Sequence, residues 1–180
     1  MKLDALERYL NSFGRQVINQ AKANLAEADK GEKLEKSIGF FITADKGLIT
    51  VKFKMLPYGK FVDKGVSGTE NERSYTNYKG KTLVSPFRYK KSKGHSQPPT
   101  KALDKWIVKK GIAPRDKAGK FMSRKTIKFL IARSIGKKGI QGISFFQKPL
   151  MLGMQEFSGK FGASLKESII DNLKHQKIIS

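Results

Sequence analysis

The chain has 180 residues, 38% of them apolar, with 37 Lys and Arg against 15 Asp and Glu, a formal net charge of +22 at pH 7. That length allows one domain, or one domain with a long insertion, and a core that buries roughly 70% of the unfolded chain's surface, and the apolar content argues against disorder. The absence of cysteine excludes a disulfide framework and a thiolate metal site or nucleophile, no apolar run approaches the ~20 residues of a membrane span, and the polar turn after Met-Lys-Leu-Asp argues against a signal peptide.

Leu3, Leu6, Leu10, Phe13, Val17, Ala21 and Leu25 recur every three or four positions. This predicts an amphipathic helix of about 25 residues, docked along one apolar stripe and closed by Gly31. A second, weaker helical start covers 32–37. Residues 40–43 and 48–53 are rich in strand formers and flank Ala44-Asp45-Lys46-Gly47, where Gly47 suits a tight hairpin turn. Ile49, Val51 and Phe53 alternate with Thr50, Lys52 and Lys54, so one face is expected in the core and the other in water.

In the segment that follows, Tyr58, Phe61 and Val62 stand at helical offsets before Gly65, which reads as one or two helical turns. Residues 66–98 are poor in apolar side chains and read as an extended loop or arm, longer than packed domains usually tolerate without a purpose. Within it, Phe87-Arg88-Tyr89-Lys90-Lys91 interleaves rings with cations. That pattern suits stacking on bases and clamping phosphates, and equally suits rings buried in a neighbouring subunit with cations at the rim.

Pro98-Pro99-Thr100 precedes a short helix over 101–110, with Leu103, Trp106 and Ile107 on one face and Gly111 as its stop. Ser123 caps a second helix, whose apolar stripe is Ile127, Leu130, Ile131 and Ile135 and whose basic side is Lys125, Lys128 and Arg133. Gly136 is expected to end it. The connection between the two is about twelve residues, against the three or four of a DNA-reading helix-turn-helix, so sequence-specific readout is not expected. A last helix of about 25 residues opens at Pro149. It is carried by Leu150, Met154, Phe157, Phe161, Leu165, Ile169 and Leu173. Gly153, Gly159 and Gly162 interrupt it and suggest close helix contacts or a kink.

Charge is not spread evenly along this order. The stretch 73–148 holds 21 Lys and Arg against two acids, Asp104 and Asp116, and the rest of the chain is nearly balanced, with 16 bases and 13 acids. Like charges this concentrated repel unless a polyanion or full solvation offsets them. With an isoelectric point near 10.2, nucleic acid is the expected polyanion, although the same charge also keeps a protein in solution. Anionic membrane surfaces fit less well, because the cations are not gathered opposite a bulky apolar helix face. The cations expected to face nucleic acid are Arg88, Lys90, Lys91, Lys93, Lys120, Arg124, Lys137 and Lys138.

Chemistry is not expected. His95 and His175 are the only histidines, and neither stands at a ligand spacing. There is no phosphate-cradling glycine loop, no nucleophile elbow and no carboxylate cluster of the kind a metal-dependent nuclease uses. The residues therefore predict no enzyme, no catalytic residue, no metal and no cofactor.

Three features in this order resemble the neck, or tail-completion, proteins at the head–tail junction of tailed bacteriophages. A long amphipathic helix precedes a β-hairpin. A Tyr-x-x-Phe-Val-acid-x-Gly box follows, here Tyr58, Phe61, Val62, Asp63 and Gly65. A Phe-Phe-x-x-Pro-Leu segment, here Phe145, Phe146, Pro149 and Leu150, opens the final helix. The match covers 1–65 and 139–175; the insertion 66–138, with loop 66–98 and helical part 99–138, departs from the shorter link common in the family. The resemblance implies an α+β fold in a single domain, with long N- and C-terminal helices packed on a small, mostly antiparallel sheet. In that fold the box is structural: Tyr58, Phe61 and Val62 would pack the sheet to the helices and Gly65 would allow a sharp exit. It also implies a homo-oligomeric ring of six or twelve copies around the DNA channel, in contact with portal, adaptor or tail proteins and with packaged double-stranded DNA by proximity. Such a protein would be assembled in the bacterial host cytoplasm and carried in the virion. A free, sequence-independent nucleic-acid-binding protein is the alternative.

Overall fold

The computed structural model describes residues 4–28, 31–45, 48–92, 96–115 and 118–178, with side chains through 171. Its class is α+β, with long helices and two small two-stranded sheets. The elements are α1 (Asp4–Glu27), α2 (Glu32–Ser37), β1 (Gly39–Asp45), β2 (Leu48–Lys54), α3 (Gly59–Lys64), β3 (Ser74–Thr76), β4 (Thr82–Val84), α4 (Leu103–Lys109), α5 (Arg124–Lys138) and α6 (Gln147–Ile178). A short 3-10 turn, Thr100–Ala102, leads into α4. The chain divides into two compact units. Unit 1 is Met1–Asp63, Thr76–Thr82 and Ser144–Ser180, and unit 2 is Lys64–Tyr75 and Leu83–Ile143. The hairpin residue Gly47, together with Leu3, Lys93, His95 and Asp116, lies outside the described residues, as do the side chains of Leu173 and His175.

Unit 1 is built on the stripe that the sequence periodicity predicts. Leu6, Leu10, Phe13, Val17, Ala21 and Leu25 are all buried along α1, and its first half faces α6. The Phe157 ring of α6 meets Phe13 edge-on at 5.1 Å and Tyr9 at 5.7 Å between centroids. Gly153 marks the closest approach, because a Cβ there would come within 2.8 Å of Phe13 Cε2. A Cβ on Gly159 or Gly162 would meet nothing within 4 Å, so only Gly153 has a packing reason. The two helices also exchange a polar contact: the Leu6 N–H donates to the buried Ser168 hydroxyl at 3.1 Å. The first-turn amides of a helix have no partner within it, and a serine 162 residues away supplies one.

β1 and β2 pair antiparallel with Phe40 opposite Phe53 and Ile42 opposite Val51. Phe40 leans on α1 at Gly14, where a Cβ would collide with its ring. Phe53 stacks edge-on against Phe146 at 5.2 Å. The face expected in the core, Ile49, Val51 and Phe53, is only half-buried. It lines an apolar groove of about 660 Å³ with Leu6, Leu10 and Phe13 of α1 and Leu150, Met154 and Phe157 of α6.

Unit 2 is held differently. Its buried apolar residues are Ile107 of α4 and Ile127 and Ala132 of α5, and Asp104 bridges to Lys128 at 2.9 Å. Segment 66–98 is not the extended arm its composition suggests. Val66 and Ile140 exchange both backbone hydrogen bonds, at 2.8 and 2.7 Å, and the Ser67 N–H donates to Phe87 O at 2.7 Å. Ser67 and Ser85 are buried, and Ser85 Oγ donates to Gly65 O at 2.8 Å. Polar residues fold a loop as well as apolar ones do when every backbone group finds a partner.

Ser123 caps α5 as its position predicts, accepting from the Thr126 N–H at 3.2 Å. The C-terminus is a correction. Gly136 does not stop α5; the helix runs to Lys138, and Gly139, at φ 74°, terminates it. Gly136 is instead a close-approach residue, since a Cβ there would collide with the Ser96 carbonyl. Leu130, expected on the apolar stripe, is exposed. The last helix also begins two residues before Pro149, at Gln147, and at 32 residues is longer than expected.

Candidate nucleic-acid interface

The basic stretch folds mainly into unit 2, which holds 19 of the 37 Lys and Arg but four of the 15 acids. Its described carboxylates are already engaged: Glu70 with Lys137 at 2.7 Å, Glu72 with Arg88, and Asp104 with Lys128. With its described carboxylates engaged, unit 2 presents a net positive surface.

The cations expected to face nucleic acid separate into two groups. Arg88 and Lys137 serve the fold, each paired with a glutamate of the 66–75 segment. Lys90, Lys91, Lys120, Arg124 and Lys138 are exposed; Lys93 lies outside the described residues. The Lys137-Lys138 turn has a structural task in its backbone. A helix leaves its last four carbonyls without internal partners, and in α5 all four are satisfied. Gly139 N–H donates to Ile135 O, Thr69 N–H to Gly136 O, and Glu70 and Asn71 N–H to Lys137 O, at 2.7–3.2 Å. Arg73 Nε donates to Lys138 O at 2.8 Å. Apart from Gly139, these partners lie 65 or more residues upstream, beyond the reach of any local pattern.

The ring–cation segment 87–91 is also part of the fold. Tyr89 N–H donates to Ser67 O at 2.9 Å, and burial raises the Tyr89 phenol's pKa above its ordinary value. More exposed rings stand elsewhere: Trp106 on α4 is 44% exposed and Phe129 on α5 is 48% exposed. Phe121, between the helices, lies under the Arg115 guanidinium at 3.9 Å.

The structural box gives the clearest geometry. Asp63 is 3% exposed, and its Oδ1 accepts from the Phe146 N–H at 2.9 Å and the Gln147 N–H at 3.3 Å. A carboxylate there meets the unpartnered amides and the positive dipole end of α6. The Asp63 carbonyl accepts from the Ser144 N–H at 2.8 Å. Ser144, at φ 50°, turns the chain into the helix and receives the Thr76 N–H on its Oγ at 3.1 Å. Phe145, Phe146 and Pro149 are buried. Gly65, at φ 72°, would place a Cβ 2.5 Å from Gly142 N, so its exit does require glycine. Tyr58 and Phe61 depart from expectation. They are 42% and 39% exposed rather than packed between sheet and helices, because α3 is anchored through the Asp63 side and turns these rings outward; Val62 is half-buried.

Among the described residues no cluster of His, Asp and Glu is placed to hold a metal ion, and no helix is long and apolar enough to cross a membrane. The chain matches no protein-family model, no curated protein and no solved structure.

Proposed function

We propose that this chain is a structural protein of the head–tail connector of a tailed bacteriophage, a neck or tail-completion subunit without enzymatic activity that joins portal or adaptor to tail around the DNA channel. One observation carries the reading. The two motifs behind the resemblance are more than 80 residues apart in sequence, yet they form one joint, in which Asp63 of the first caps the helix opened by the second. The basic unit is inserted between them. The outward rings of Tyr58 and Phe61 fit this reading, since aromatic side chains exposed on a single subunit are the kind that a neighbour covers in a ring. The partners are then other copies of the chain and the proteins above and below it, with packaged DNA in the channel.

Locating the chain in purified tailed particles tests the proposal. The expected result is label at the neck, and heads separated from tails when the chain is withheld during assembly. Particles that lack the chain and join normally would overturn it. A second reading, a nucleic-acid-binding protein acting off the particle, is favoured by the charge of unit 2 alone.

A further inference from the structure

We infer that the α4–α5 surface of unit 2 is a sequence-independent binding site for the phosphodiester backbone of nucleic acid. This rests on the charge and geometry of unit 2 and not on the connector reading, so the two fail separately. Lys105 and Lys109 are exposed on α4, with Lys101 one turn before them. On α5, Lys125, Phe129 and Arg133 follow one another at four-residue spacing and are all exposed, a stripe about 12 Å long. None of these cations has an ion-pair partner among the described residues, because the acid that joins the two helices, Asp104, is held by Lys128.

Two costs arise on these two helices. Like charges on neighbouring helices repel, and the Trp106 and Phe129 rings stay in water among them. A phosphodiester strand relieves both. Its phosphates neutralise the lysines and arginine, and its sugars or unpaired bases cover the rings. The helices carry no Asn or Gln, the side chains that read adenine edges. Lysine and arginine can pair with guanine edges, so the indifference to sequence is the part of the assignment that a comparison of unrelated sequences tests. This surface differs from the set read from the sequence, which included none of these five cations; Arg88 and Lys137 of that set are committed within unit 2.

Trp106 is the only tryptophan of the chain, so its emission reports on this surface directly. The full chain is titrated with fluorescein-labelled duplex and single-stranded oligonucleotides of two unrelated sequences, at several salt concentrations, following anisotropy and tryptophan emission. Binding should be indifferent to sequence, weaken steeply with salt and quench Trp106. The quadruple variant K105Q/K109Q/K125Q/R133Q should weaken duplex binding at least about tenfold and flatten the log–log salt slope by about 3 to 4. K90Q/K91Q/K138Q should change affinity less than about threefold and leave the slope nearly unchanged, because these residues lie outside the Lys125–Phe129–Arg133 stripe and α4. The duplex and single-strand arms distinguish the source. Stacking on unpaired bases makes W106A weaken single-strand binding selectively, and pure phosphate contact makes it neutral in both. The half-sets K105Q/K109Q and K125Q/R133Q should each give part of the loss with an unchanged melting curve, which guards against misfolding of the quadruple variant. Wild-type affinity in both half-sets or equal competition by polyglutamate of matched charge would each overturn the assignment, the second by pointing to an acidic protein surface.

Discussion

Unit 1 and unit 2 reach order by different means. Of the 15 buried apolar residues among those described, 12 lie in unit 1 and three, Ile107, Ile127 and Ala132, in unit 2. Unit 1 is a helix pair that excludes water over a long stripe, with a hairpin leaning on it. Unit 2 replaces that core with backbone hydrogen bonds: the last carbonyls of α5 answered by the 69–73 segment, Val66 paired with Ile140, and Ser67 and Ser85 as buried hubs. A segment so rich in lysine has few apolar side chains to bury, so its loops must satisfy one another. Area burial of roughly 25 cal/mol per Å² favours unit 1, whereas each net hydrogen bond contributes only about 1 kcal/mol.

The sharpest test of this contrast is Phe145→Ala. The ring is fully buried in unit 1, and its loss should cost about 3–5 kcal/mol. Hydrogen exchange should show that loss in α1 and α6; equal loss of protection in α5 would mean that the two units do not stabilise themselves separately. Asp63→Ala should cost about 1–3 kcal/mol, because it leaves the Phe146 and Gln147 amides without their buried acceptor. The change should read out as fraying of the first turn of α6, with Asp63→Asn recovering part of the stability in a thermal melt. In unit 2 the matching lesion is Gly136→Ala, whose methyl meets the Ser96 carbonyl. Overpacking of this kind costs about 1–3 kcal/mol and should appear as lost amide protection at Thr69 to Asn71, with α1 unchanged.

The smallest effect is a pH dependence. Burial raises the pKa of Tyr89 in unit 2, and burial, opposed by nearby Lys160 and reinforced by Glu156, raises that of Tyr9 in unit 1. A raised phenol pKa favours the protonated folded state. The stability it contributes is complete below the ordinary phenol pKa of about 10 and is lost as pH climbs through the folded value. Melting temperature should therefore drop above about pH 10, and Tyr9→Phe and Tyr89→Phe should each flatten the drop in their own unit.

Much of the fold was legible because its signals are local. The α1 stripe repeats over six turns, the hairpin alternates, and Ser123 sits where a cap belongs. Other residues carried an ambiguous local signal. Glycine marks permissive backbone but does not say whether the chain turns, as at Gly139, or a neighbour approaches, as at Gly136 and Gly153. The candidate interface was half legible. Lysine density announced a basic surface, yet Arg88 and Lys137 were indistinguishable from their neighbours until Glu72 and Glu70 were seen beside them.

The sequence by itself determined the main helices, the β1–β2 hairpin and that one stretch carries nearly all the surplus charge, because periodicity and composition act over a few residues. Only the tertiary structure decided which polar groups answer one another. Asp63 reaches α6 across 83 residues and Ser168 reaches α1 across 162, and a hydrogen bond depends on separation in space, which no spacing along the chain encodes.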